Sequence, residues 1–248
     1  VKVVISGASS GIGEALARCY DAPGNVLGFL SRRIPAGKFN SEVAAFSVDV
    51  TDTPAIETAA REFIDRFGAP DLVIANAGIG VGTHGDDLAD VAKLRRVLDV
   101  NVSGMAATLA AFAPAMRQAR RGTLVGVASV AGFRGLPGAG AYSASKAAAI
   151  SWLESLRVEL RGSGVSVVCV CPGYIDTPMT QENEYRMPFL MAPDEFARRM
   201  ARAVAAKRRR VVIPWQMALV AVLLRNLPGW LYDRAFARAP RKSRDIKI

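Results

Sequence analysis

The stretch Ser6-Gly7-Ala8-Ser9-Ser10-Gly11-Ile12-Gly13 restricts this chain more than any other. An apolar run, Val3–Ile5, precedes it and a helix-like pattern, Ile12–Tyr20, follows, so the glycines occupy a strand-to-helix turn. Gly7 permits the tight turn, Gly11 lets a pyrophosphate approach the backbone, and Gly13 lets the helix pack closely on the strand. The free amide hydrogens and the dipole of the helix N-terminus favour an anion, with Ser9, Ser10 and Ile12 placed along its cradle. Glycines in a strand–helix turn can be merely structural. At the head of an alternating α/β pattern they point to a dinucleotide cradle.

That alternation runs on through the chain. Val26–Leu30, Ala44–Val48, Leu72–Ala75, Thr123–Ala128, Val165–Val170 and Val211–Ile213 read as strands, most of them continuous apolar runs buried on both faces. Helical spacing covers Pro54–Phe67, Asp99–Ala119, Tyr142–Arg161 and Pro193–Ala206. The expected fold is α/β: a Rossmann-type, doubly wound, mostly parallel sheet of seven strands with helices on both faces. About ten residues, including Pro35 and Gly37, separate Arg33 from the third strand. A parallel crossover normally takes a dozen or more, so its helix is expected to shrink to a turn or vanish. Residues 1–214 form one domain in this reading, with a substrate lid at 179–191, and 215–248 form a C-terminal apolar and basic helical extension.

A second string, Tyr142-Ser143-Ala144-Ser145-Lys146, puts a phenol and an ammonium on one face of a helix. With both strings present, the sequence resembles the short-chain dehydrogenase/reductase family from about residue 2 to residue 215. The resemblance implies a catalytic tetrad of Asn101, Ser129, Tyr142 and Lys146, all present. It also implies an adenine contact at Asp49-Val50 and a cofactor-side loop at Asn76-Ala77-Gly78. Pro172, Gly173, Ile175 and Thr177 fall at the nicotinamide end, and Tyr142 and Lys146 touch the cofactor as well.

The chemistry follows from the groups themselves. A free tyrosine, with a pKa near ~10, is a poor base at neutral pH. A neighbouring ammonium and an oxidised nicotinamide both favour the phenolate and are expected to lower that value. Tyr142 is the expected acid/base, with Ser129 bonding the substrate oxygen. The family implies that Lys146 holds the nicotinamide ribose and that Asn101 anchors a water. After the second strand come Ser31-Arg32-Arg33, with no acidic residue to bond the ribose hydroxyls. Two arginines suit a 2′-phosphate, so the expected cofactor is NADP(H) and the expected direction is reduction of a ketone or aldehyde to an alcohol. A solvated surface pair is the plainer reading of Arg32 and Arg33. The alternative function is a catalytically silent protein that senses NADP(H).

The net charge of +10 is confined to one end. Residues 201–248 carry 12 basic side chains against Asp233 and Asp245, and the rest of the chain is neutral. No basic stripe crosses the body, which argues against nucleic acid. Cys169 and Cys171 should face one side of a strand as buried free thiols, in keeping with a reducing, cytoplasmic setting. His84, the single histidine, reads as a polar loop residue, and no spacing suggests a metal site.

In the tail, Trp215–Leu224 is too short to span a bilayer, which takes ~20 residues. With Leu227–Tyr232 and the cations Arg234, Arg238, Arg241 and Lys242 it suits a peripheral helix at a membrane interface. It suits equally a cover for the pocket or for a subunit partner. Tyr185, Met187, Phe189 and Leu190 in the lid lean the substrate toward an apolar carbonyl compound. The helices Asp99–Ala119 and Tyr142–Arg161 are expected to pair subunits into a homodimer or homotetramer.

Overall fold

A computed structural model describes residues 1–183, 185–237 and 239. Seven strands form one parallel sheet in the order β3-β2-β1-β4-β5-β6-β7. They are β1 (Lys2–Ser6), β2 (Val26–Ser31), β3 (Glu42–Ser47), β4 (Leu72–Ala75), β5 (Thr123–Val127), β6 (Ser166–Pro172) and β7 (Arg210–Ile213). The order reverses between β1 and β4, and that is where a doubly wound sheet opens a crevice at the carboxyl ends of its strands. All seven expected strands are present. β3 begins two residues early because, as an edge strand paired only with β2, it tolerates the exposed Glu42. No helix separates β2 from β3, as the short crossover required.

Alternate residues of each strand feed two cores. On one face Val4, Leu30, Val73 and Leu124 meet Phe63 of α2 (Thr53–Phe67), Leu109 and Phe112 of α4 (Gly104–Gln118), and Leu153 of α5 (Gly140–Glu159). On the other, Ile5, Phe29, Ile74 and Val168 meet Leu16 of α1 (Gly11–Tyr20) and Phe196 and Met200 of α7 (Pro193–Ala205). Cys169 and Cys171 share one buried face as expected, their sulfurs 3.8 Å apart.

The helix expected at Asp99–Ala119 is longer and interrupted. It begins as α3 (Asp90–Leu98), passes through a π-helical turn at Asp99–Ser103, and continues as α4. The start is hidden because α3 buries only Asp90 and Val97, too few apolar positions to show a period. This 29-residue helix is apolar enough to cross a membrane by length and composition, yet half of its apolar window is buried inside the fold. A short α6 (Pro178–Gln181) opens the lid segment.

The chain then leaves β7 for α8 (Gln216–Asn226) and α9 (Gly229–Phe236), which dock on the body through Met217, Ala221 and Tyr232. Arg238, Arg241 and Lys242 lie outside the described residues, as does part of the extension expected at 215–248.

Gly13 shows how tightly the first turn is drawn. A Cβ there would sit 2.0 Å from the Gly7 carbonyl oxygen and 2.7 Å from Asn76 Nδ2. Gly13→Ala should therefore cost about 1–3 kcal/mol, as overpacking does, and lower the melting temperature by several degrees. Gly85→Ala, with nothing within 4 Å, should stay within about 0.5 kcal/mol. Thermal unfolding followed by circular dichroism checks both.

Candidate active site

A cleft of about 270 Å³ opens at the β1/β4 reversal. Its floor is the glycine turn: Gly7, Ser9, Ser10, Gly11 and Ile12 all line it. Ser10 caps α1 in extended conformation without a side-chain hydrogen bond to the first turn, so that turn's amides stay available to an anion. Asn76 clamps the turn to β4 by donating from Nδ2 to the carbonyls of Ser6 (3.2 Å) and Gly7 (3.0 Å). Ser31 does the same from β2, its Oγ accepting from Ala8 N at 2.8 Å. Gly13 is not among the lining residues; it is a packing position beneath the turn.

The cleft wall beyond β2 carries Arg32 and Arg33, both exposed, then Asp49 and Val50. Partial burial works against the Asp49 carboxylate. Hydrogen bonds from Thr51 and the ion pair with Arg96 (3.3 Å) outweigh it and hold the carboxyl below its ordinary range. Arg96 also lines the cleft. Sequence reasoning missed it, because nothing in local spacing links a residue of α3 to the end of β3.

At the other end, Ser129, Tyr142 and Lys146 converge with Ala77, Gly78, Pro172, Gly173, Ile175 and Thr177. Lys146 is buried, and its Nζ donates to the Val127 carbonyl at 2.9 Å and lies 5.6 Å from the centre of the Tyr142 ring. Loss of hydration pushes its pKa down to about 8, with Cys171 and Cys169 acting weakly the other way. Burial pushes the half-buried Tyr142 phenol above its ordinary value, and the hydrogen bond with Ser129 pulls it back. Of these two effects desolvation is the larger.

Asn101 lies behind the cleft rather than on its surface. It is fully buried, accepting from Ile79 N (2.8 Å) and donating to Ile79 O and Ser145 Oγ (both 2.9 Å). Ser145 in turn donates to the Tyr142 carbonyl at 2.7 Å, so the π turn is hooked to α5. The π geometry belongs to this site, since one extra residue in the turn swings the Asn101 amide against Ile79.

Only the start of the segment expected as a lid borders the cleft. Pro178, Met179 and Thr180 line the cleft, whereas Tyr185, Met187, Phe189 and Leu190 are not among its lining residues. Tyr185 packs edge-on against Tyr174, and Phe189 and Leu190 are exposed. Leu30, Val48, Val127 and Ala128, apolar ends of strands that read as core in sequence, also face the cleft unforeseen, as do Ile79 of the loop after β4 and Val100 of the π turn.

Residues 1–187 match the profile of the short chain dehydrogenase family. An uncharacterized oxidoreductase of Myxococcus xanthus is 40% identical over 243 residues, spanning 95% of this chain and 96% of that protein. Dehydrogenase/reductase SDR family member 7B of Bos taurus is 33% identical over 276 residues, covering 99% of this chain and 83% of that one. Among solved structures, a short chain dehydrogenase of Burkholderia cenocepacia in complex with NADP superposes with a TM-score of 0.80 at 26% identity, covering 94% and 96% of the two chains. The chain belongs to the short-chain dehydrogenase/reductase family of oxidoreductases.

Proposed function

We propose that this protein is a cytoplasmic NADP(H)-dependent reductase that converts an apolar ketone or aldehyde to an alcohol and runs the reverse reaction where conditions favour it. The convergence of Ser129, Tyr142 and Lys146 on the end of a cleft floored by the glycine turn carries this reading. The cleft suits the cofactor in parts. Uncapped amides of α1 would hold a pyrophosphate, Arg32 and Arg33 a 2′-phosphate, and Asp49 and Val50 the adenine. The NADP complex of the Burkholderia relative supports the same choice. Bound there, the nicotinamide supplies the hydride.

The chain's own residues do the rest. Tyr142, whose phenol keeps its proton at neutral pH, gives that proton to the carbonyl oxygen. Ser129 donates a hydrogen bond to the same oxygen as charge develops on it. Lys146, with its pKa at about 8, replaces the phenol's proton more readily than an ordinary ammonium can. Asn101 and Ser145 fix the backbone around Tyr142 and take no proton directly. The exposed small residues Ala144, Ala147 and Ala148 of α5 supply the close-packing face of a homodimer.

Tyr142→Phe should lower turnover of an apolar ketone about 10²–10⁴-fold while leaving NADPH affinity by calorimetry nearly unchanged. NADPH binding with no turnover by the wild-type protein would instead favour the sensing protein. A lowered lysine pKa means the ammonium loses its proton early. Reduction rates should thus be level on the acid side and fall as pH rises through about 8, while alcohol oxidation rises over the same window. Replacing both Arg32 and Arg33 with alanine should raise KM for NADPH about 10–100-fold, the worth of charged phosphate contacts, and leave KM for NADH within a factor of about two. Wild-type enzyme that prefers NADH would remove the NADP(H) assignment.

A further inference from the structure

The largest feature left unused by this chemistry is the outer face of the C-terminal helices. Trp215, at the N-cap of α8, and Leu219, Val222 and Leu223 within it recur at helical spacing and are 63%, 64%, 61% and 65% exposed. Trp230, 71% exposed, and Leu231 extend the patch onto α9. Single exposed apolar residues are ordinary, but six on two consecutive helices form a surface built for contact. The opposite face of α8 is the buried one, where Met217 packs against the cleft-lining Gly173: a Cβ on that glycine would lie 2.6 Å from Met217 Cγ.

We infer that this α8–α9 face docks the protein onto an anionic phospholipid membrane, with the cleft beside the lipid so that the lipophilic carbonyl substrate reaches it from the bilayer. Charge chooses this occupant over a second copy of the chain. From residue 215 onward the sequence holds seven cations, among them Arg225 and Arg234 on the helices themselves, against Asp233 and Asp245. In a two-fold dimer the same patch meets itself, and Arg225 and Arg234 beside it would face their own like charge. Anionic headgroups complement it. Two tryptophans beside a short apolar stripe match the preference of that ring for the headgroup boundary. Eleven residues of α8, followed by the Pro228-Gly229 break, are too few to span the bilayer, so the helices lie on it.

The inference extends the apolar-substrate reading above, yet its first test needs no turnover, so each can fail alone. Full-length protein should co-sediment with vesicles of phosphatidylglycerol and phosphatidylcholine, and at least about tenfold less with pure phosphatidylcholine. Its tryptophan emission should shift to the blue, because Trp215 and Trp230 leave water while Trp152 is already half-buried. The variant Trp215→Gln/Leu219→Gln/Leu223→Gln/Trp230→Gln should bind the anionic vesicles at least about a hundredfold more weakly. Its rate on a small water-soluble ketone should be unchanged, which also shows that it folds. Wild-type protein that neither sediments nor shifts its emission would overturn the proposal. So would a wild-type dimer that the variant converts to a monomer, which would assign the face to a second copy.

Discussion

Everything at the cleft depends on how the chain is tied across the gap between β1 and β4. Helices leave these neighbouring strands toward opposite faces of the sheet, so no helix fills the space above their ends. The gap is set by one side chain: the Asn76 amide donates to the carbonyls of Ser6 and Gly7, and the Ser6 hydroxyl returns the favour by accepting from Asn76 N and Ala77 N. The glycine turn and the loop after β4 are therefore one rigid piece. Gly7, at φ +69°, has no room for anything larger, since a Cβ would come 2.7 Å from Ala77 Cα. Helix α1 can begin only where this piece directs it, and its free amides point into the cleft in consequence.

The same economy of space explains the proton chemistry. Among the described residues Lys146 is the one buried lysine, and it donates to one carbonyl, Val127 O. An ammonium held by so few partners is poorly compensated for its lost water, and its affinity for a proton falls. The phenol beside it moves the other way, because burial penalises its anion. Desolvation thus drives apart two groups whose ordinary pKa values nearly coincide, favouring the neutral form of each, and no acidic partner is needed. A carboxylate next to Lys146 would have stabilised the ammonium and undone the effect.

The sheet and the cradle were legible because both are written locally. Strands buried on two faces appear as continuous apolar runs, and Gly7, Gly11 and Gly13 stand at spacings that only a close-approach turn requires. Contacts between distant elements were not legible. Arg96 reaches Asp49 across 47 residues, and Ser145 finds Asn101 across 44. The π turn leaves no mark in composition, since its signal is the Asn101 bond to Ile79. Which lid side chains reach the cleft was not legible for a different reason. Apolar residues on an irregular segment have no period, so nothing told that Phe189 and Leu190 face solvent while Met179 faces the cleft.

The C-terminal helices matter to the site because of where they are fastened. Arg134 stands on the loop between Ser129 and Tyr142 and donates to the carbonyls of Leu224, Arg225 and Leu227 at the end of α8. Its guanidinium also lies 4.4 Å from the centre of the Tyr232 ring, and the Tyr232 hydroxyl donates to the Gly135 carbonyl. On the inner side the same loop is held by Thr83, which donates from its backbone to Gly138 and accepts from Ala141 N. The loop that sets the distance between Ser129 and Tyr142 is thus braced from the body on one side and from α8 and α9 on the other. A cation satisfying the last carbonyls of a helix is a favourable end to that helix as well as a fastening. The helices that bear the apolar stripe and the loop between Ser129 and Tyr142 are consequently joined by direct contacts through Arg134 and Tyr232.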